Sequence, residues 1–198
     1  MFFNLLSTIL LGVAGGIISS IIVSRVFWIM SELKEAQDIL ETEYGKLCFL
    51  HGSVDVIKAL IEDNYDQITK AYNSADEIPT HPYSQDAMRP IIDGIKNDAG
   101  KEWINLVNLN TKEKEVTDII DIFISYLDKL KDINIPTFEF ITGAETLFDD
   151  CRNRVDCYKK QNGKRFVKRL LSDKIMIVLY VIVLLILTAT ILTAVYNV

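Results

Sequence analysis

Apolar residues are concentrated at the two ends of this chain, and charged residues lie in its middle. Residues 4–24 contain no charged side chain, and neither do residues 175–198. At about 1.5 Å of rise per residue, each run is long enough to cross a ~30 Å hydrocarbon layer as a helix. We therefore predict an all-α protein in which one transmembrane helix over 4–30 and a second over 173–198 flank a cytoplasmic helical-bundle domain over 31–172.

Within the middle segment, the apolar positions follow the period of helices rather than strands. We expect the first helix to leave the membrane as a stalk and to break at His51 and Gly52, with Ser53 capping the next helix. Residues 73–84, which include two prolines, are predicted to form a loop. Further helices are predicted over 54–72, over 91–110 with an interruption near 98–100, over 112–132 with Thr111 as cap, and over 137–158. Residues 164–172 are predicted to form an amphipathic lead-in that can run on into the second membrane helix. The helix over 112–132 is expected to bury one face, formed by Val116, Ile119, Ile120, Phe123, Tyr126, Leu127 and Leu130.

Small residues in the first apolar run fall on one narrow stripe of a helix. Gly12 and Gly16 have the four-residue spacing at which membrane helices approach closely. We predict that this helix packs against a partner or against its own copies, and that the hydroxyl residues of the stripe could line a narrow pore. The alternative is an ordinary glycine-rich anchor, since membrane helices tolerate glycine. The stripe consists of Thr8, Gly12, Gly15, Gly16, Ser19 and Ser20.

The basic residues next to the two apolar runs predict the orientation of the chain. They follow the first run and precede the second, and the positive-inside rule then places residues 31–172 in the cytoplasm of a bacterial cell, with both termini outside its inner membrane. We expect the first helix to be retained, because no positive charge precedes it as in a signal peptide. In the cytoplasm the three cysteines would stay reduced. The flanking basic residues are Arg25, Lys34, Lys164, Arg165, Lys168, Arg169 and Lys174.

Residues able to carry catalysis or bind a metal are few and scattered. Cys48 and His51 are three residues apart but have no third member, and we interpret them as packing residues. Cys151 and Cys157 do not have the spacing of a metal or redox motif, and His81 stands alone in the predicted loop. We expect no enzyme activity, no cofactor and no metal.

Charge is distributed unevenly along a chain whose formal net charge is −6. Residues 152–174 hold nine basic and two acidic residues, whereas residues 31–151 hold eleven basic and twenty-five acidic residues. Three roles for the basic block remain open: contact with anionic lipid, pairing with the acidic helices, or a nucleotide or oligonucleotide site. The residues predicted for such a ligand site are Arg152, Arg154, Tyr158, Lys159, Lys160, Lys164 and Arg165.

The predicted layout combines a first anchor containing Gly12 and Gly16, a helical cytoplasmic domain, a basic run over 152–169 and a second anchor. This layout resembles the small two-helix membrane effectors of bacterial anti-phage defence. Among these, the layout is most similar to the membrane effector of the Hailong system. The resemblance implies a homotetramer that depolarises the inner membrane, is held silent by a DNA oligomer from a partner nucleotidyltransferase, and is released during infection. The competing hypothesis is a double-anchored scaffold that binds a protein partner through its acidic helices.

Overall fold

The computed structural model describes the backbone of residues 2–74, 85–133 and 137–196 and the side chains of residues 12–63, 88–133 and 137–192. Regular secondary structure in these ranges is entirely helical, which confirms the all-α prediction. Of the predicted loop over 73–84, residues 75–84 lie outside the described residues, and residues 73 and 74 belong to the first helix. The helices of the described ranges are α1 (Phe2–Ser74), α2 (Gln85–Val107), α3 (Lys114–Lys131), α4 (Phe138–Lys160), α5 (Asn162–Ser172) and α6 (Lys174–Tyr196).

The chain divides into two compact units. The anchor unit combines Met1–Glu35 with Lys160–Val198, and the core unit is Ala36–Lys159. Two described helical segments are long and apolar enough to cross a membrane: Gly12–Asp63 of α1, which begins in the anchor unit, and Lys174–Leu192 of α6. Met176 and Leu179 are buried at the start of α6, but most of its other apolar side chains are exposed, and residues 184–192 are exposed on every side of the helix. Exposure of this kind suits a helix surrounded by lipid.

A continuous apolar core holds the core unit together. Helix α3 buries one complete face, because its apolar residues recur every three or four positions, and this confirms the face predicted from the sequence. Helix α4 contributes Phe148 and Cys151 to the same cluster, and α1 contributes Leu40 and Leu47. The buried residues of α3 are Val116, Ile119, Ile120, Phe123, Tyr126, Leu127 and Leu130.

Two predicted helix interruptions were wrong. Helix α1 passes through Gly52 without a break, and α2 passes through Ala99, which is fully buried. A glycine inside a helix costs about 1 kcal/mol relative to alanine. Burying a side chain such as Val54 or Ile57 gains about 1.5 to 3 kcal/mol. Core packing on both sides of each weak point therefore outweighs the local preference for a break.

Two predictions about helix ends were also wrong. Helix α3 begins at Lys114, so Thr111 lies too far upstream to cap it, and its hydroxyl group instead pairs with that of Thr117 at 2.8 Å. Residues 164–172 do not run on into the second membrane helix, because Asp173 has an extended backbone (φ −70°, ψ 121°) between α5 and α6. The two helices are therefore separate elements.

Replacing Gly52 with alanine tests whether α1 is continuous. A Cβ atom at Gly52 meets no atom within 4 Å, so Gly52→Ala should stabilise the full chain in detergent by about 0.5 to 1 kcal/mol. The reverse change at an exposed position of the same helix, Ala59→Gly, should destabilise it by a similar amount. Both are measured by denaturant unfolding followed by tryptophan fluorescence, and a destabilising Gly52→Ala would mean that the helix breaks there.

Candidate functional site

The short connection between α5 and α6 is built around one carboxylate, that of Asp173. Its Oδ1 atom accepts hydrogen bonds from the backbone N–H groups of Ile175 and Met176, both at 3.1 Å. Its backbone carbonyl accepts the first helical hydrogen bond, from Ile177 at 2.9 Å. The first N–H groups of a helix have no partner within the helix, and Asp173 supplies one. It is therefore the N-cap of α6.

The other oxygen of Asp173 binds α1. Its Oδ2 atom accepts hydrogen bonds from Arg25 Nε at 3.0 Å and from Arg25 Nη2 at 2.6 Å. The guanidinium group of Arg25 also lies over the ring of Trp28, 3.8 Å from its centroid. Charge-assisted contacts of this kind are stronger than neutral ones and are directional. One carboxylate therefore joins the two helices that could span a membrane.

A second ion pair connects α5 to α1. Arg169 Nη2 donates to Glu32 Oε2 at 2.8 Å, and both side chains are partly buried. We call Arg25, Trp28, Glu32, Arg169 and Asp173 the junction clasp. Through it, α5 and α6 are both held to the segment of α1 that follows the first apolar run.

The junction clasp was not predicted from the sequence. Arg25 and Arg169 were used to predict orientation, and Arg169 also belonged to the basic block of 152–174, but no role was assigned to Asp173 or Glu32. A signal was present, because an aspartate directly before an apolar helix is a typical N-cap. The sequence did not show which arginine binds that aspartate. The tertiary structure shows that it is Arg25, 148 residues away in sequence.

The residues predicted to bind a nucleotide or oligonucleotide are divided between the two units. Lys160, Lys164 and Arg165 belong to the anchor unit, and the others lie on α4 in the core unit. Tyr158 is only 1% exposed, so its ring cannot offer the base-stacking surface that we expected. The reason is its position on the same face of α4 as buried Val155, which packs into the core.

The basic side chains of α4 do not converge on one surface. Arg154 pairs with Asp150 at 3.4 Å, and Lys159 pairs with Glu41 at 3.2 Å. Arg152 is exposed and projects far from Arg154, because positions two apart on a helix differ by about 200°; Lys159, seven positions after Arg152, lies on the same side as Arg152. These pairs support the alternative in which basic residues neutralise acidic helices, and the ligand site remains a prediction.

The small residues of α1 are uncovered in a single copy of the chain. A Cβ atom added at Gly12, Gly15 or Gly16 would meet nothing within 4 Å, and Ser19 and Ser20 are exposed. The side chain of Thr8 lies outside the described residues. The stripe therefore leaves room for close approach by another helix.

His51 packs in the core unit as expected, whereas Cys48 is exposed. The His51 ring stacks on Phe148 with 3.8 Å between centroids, and Nδ1 lies 2.9 Å from the Tyr126 hydroxyl group. Burial lowers the pKa of His51. Burial also raises the pKa of Cys151 to about 12, so this cysteine is a thiol at neutral pH.

Within the described side chains, no group of three or more His, Cys, Asp or Glu residues is arranged to hold a metal ion. His81 lies outside them. No protein-family model, curated protein or solved structure matches this chain. A functional proposal must therefore start from the chain's own surfaces: the uncovered stripe, the junction clasp and the apolar exterior of α6.

The N-cap of α6 can be tested separately from its ion pair. Asp173→Asn keeps an oxygen acceptor but loses the charge that binds Arg25, whereas Asp173→Ala loses both. Loss of a cap is worth about 1 kcal/mol, so amide exchange in the first turn of α6 should accelerate about fivefold in Asp173→Ala and less in Asp173→Asn. Hydrogen exchange by mass spectrometry on the full chain measures this, with Asp121→Asn, an exposed acid of α3, as control. Unchanged exchange in Asp173→Ala would contradict the cap.

His51 should make the core unit less stable in mild acid. Burial, reinforced by Lys58 and opposed by Asp55, Glu145 and Asp149, holds its pKa below the unfolded value of about 6.5. The unfolded chain therefore binds the proton more readily, and stability present above pH 6.5 is lost as the pH falls.

Denaturant unfolding of the full chain at a series of pH values should reveal this loss. His51→Gln should remove the part of the pH dependence that begins near pH 6.5. The second histidine, His81, is present in both proteins, so its contribution cancels in the comparison. Identical pH profiles for the two proteins would mean that His51 titrates alike in the folded and unfolded states.

Proposed function

We propose that this protein is an oligomeric membrane effector that forms a gated ion channel or pore. One copy has two helices that could cross a membrane, too few to enclose an aqueous path, so several copies must assemble with closed symmetry. The observation that carries the proposal is the uncovered stripe of α1, from Gly12 to Ser20, where a second helix can approach closely. The exposed Leu, Ile and Val surface of α6 suits contact with lipid.

The pore walls would be glycine backbone, serine hydroxyl groups and aliphatic side chains. Apolar constrictions expel water and stay closed until a conformational change widens them. The core unit, which we place in the cytoplasm with both termini outside the inner membrane, would supply that change. The junction clasp offers a route of coupling, because its ion pairs join α1 to α5 and α6.

The resemblance to two-helix anti-phage effectors extends the proposal to its biological role. Opening would depolarise the inner membrane and arrest an infected cell, and the assembly would be a tetramer. The controlling ligand would be a nucleotide or DNA oligomer made by a partner nucleotidyltransferase. Arg152 and Lys164, both exposed, are the residues through which we would first seek that ligand.

A double-anchored scaffold is the second candidate function. It is favoured by the acidic excess of residues 31–151, which would suit a basic protein partner. No ion would then pass through the assembly. An electrical measurement separates the two functions.

Membrane potential, reported by a voltage-sensitive dye in bacterial cells expressing the full chain, tests the channel directly. We expect depolarisation with growth arrest, suppressed when the chain's genomic neighbours are present. The control is a variant carrying Gly12→Leu and Gly16→Leu, which should insert but not depolarise. Unchanged potential with the protein present in the membrane would favour the scaffold.

The same two substitutions test the assembly itself. Leucine at Gly12 and Gly16 fills the space that a neighbouring helix would occupy, so the oligomer should dissociate in mild detergent. Ala14→Leu adds the same side chain on the opposite side of the helix, about 200° from Gly12, and should leave the oligomer intact. Size-exclusion chromatography with light scattering measures both variants. An oligomer of unchanged mass with leucine at both glycines would contradict the assigned interface.

A further inference from the structure

Helix α5 has two chemically opposite faces. The basic residues of α5 recur at spacings of one, three and four residues, and so do its apolar residues. The apolar set begins two positions after the basic set. At about 100° per residue, the centres of the two sets lie on opposite sides of the helix. The basic set is Lys164, Arg165, Lys168 and Arg169, and the apolar set is Phe166, Val167, Leu170 and Leu171.

The apolar face of α5 is only partly covered by the rest of the chain. Val167 is 52% exposed and Leu171 is 61% exposed, whereas Phe166 and Leu170 are partly buried. Val167 and Leu171, one turn apart, form the exposed edge of this face. Amphipathic helices of this kind, with lysine and arginine on the polar face, are typical of the membrane interface.

If α6 crosses a bilayer, its connection to α5 brings α5 to the membrane surface. The helix ends one residue before α6, whose segment Lys174–Leu192 could cross the bilayer. Its last turn is held to α1 by the Arg169–Glu32 pair. Trp28 is partly exposed close by on α1, and tryptophan is enriched at the level of lipid headgroups.

We propose that α5 is an interfacial helix that binds the surface of an anionic phospholipid bilayer. Val167 and Leu171, which are exposed, enter the boundary of the acyl chains. Lys164 and Lys168, both exposed, contact anionic headgroups. The positive charge of the basic face is attracted by the negative surface potential of a cytoplasmic leaflet. This role is independent of whether several copies form a pore.

Lipid binding by α5 would couple the membrane surface to both α1 and α6. Arg169 connects α5 to α1, and Asp173 connects the end of α5 to α6 and to Arg25. The depth and tilt of α5 would therefore be transmitted to the junction clasp. Anionic phospholipid is thus the proposed lipid partner of this protein.

The test is a comparison of the two faces of α5 in the full chain, reconstituted in nanodiscs. Single cysteines at Val167 and Lys168 are introduced in a background of Cys48→Ser, Cys151→Ala and Cys157→Ser and labelled with an environment-sensitive fluorophore. In nanodiscs of phosphatidylcholine and phosphatidylglycerol, we expect the label at 167 to be quenched by spin-labelled lipid and shielded from aqueous iodide. The label at 168 should behave in the opposite way.

The headgroup contacts are tested with Lys164→Gln and Lys168→Gln. Each basic side chain at an anionic surface is worth about a factor of five in association. We therefore expect enrichment of spin-labelled phosphatidylglycerol over spin-labelled phosphatidylcholine near position 167, and loss of most of that enrichment in the double variant. Leu171→Trp, with brominated lipids as quenchers, repeats the measurement without removing any cysteine; the native chain, which contains Trp28 and Trp103, gives the background to subtract.

Three outcomes would overturn the proposal. Equal quenching of positions 167 and 168 by iodide would mean that α5 lies in water. Shielding of position 167 from both iodide and spin-labelled lipid would mean that protein covers this face. Equal enrichment of the two lipids would mean that α5 does not recognise anionic headgroups.

Discussion

The bonds made by Asp173 are the constraint on which the anchor unit depends. A helix that enters hydrocarbon must satisfy its first N–H groups at the interface, because lipid tails offer no acceptor. Asp173 provides an acceptor to Ile175 and Met176 and directs its second oxygen to Arg25. The same carboxylate therefore caps one apolar helix and binds the other. Any change in the separation of the two helices must alter the contact between Asp173 and Arg25.

The core unit is organised by a different interaction, the burial of apolar faces. Its ion pairs lie around that core, as in Lys58–Glu145 at 2.6 Å and Lys46–Glu102 at 3.1 Å. Such exposed or partly exposed pairs contribute little stability individually, at most about 1 kcal/mol. Their effect is to orient helices whose contact the core has already established. Arg154 and Lys159, which the sequence alone had left available for a ligand, also form ion pairs of this kind.

Three uncovered surfaces of the anchor unit together suit a membrane setting. The stripe of small residues on α1 suits another helix, the exterior of α6 suits acyl chains, and the two faces of α5 suit the boundary between acyl chains and headgroups. The apolar surfaces of α5 and α6 would be unfavourable in water, and a bilayer would offer contacts to all three surfaces. The proposed channel and the proposed interfacial helix use these surfaces without competing for them.

The sequence by itself determined the helical class, the two apolar runs and the buried face of α3, because these depend on periodicity and length, which are local properties. It misplaced the break at Gly52 and the exposure of Tyr158, because both are decided by packing against residues distant in the chain. The bond between Arg25 and Asp173 joins residues 148 positions apart. Only the tertiary structure could select that pair, since the energy of a charge-assisted contact depends on geometry that no local pattern encodes.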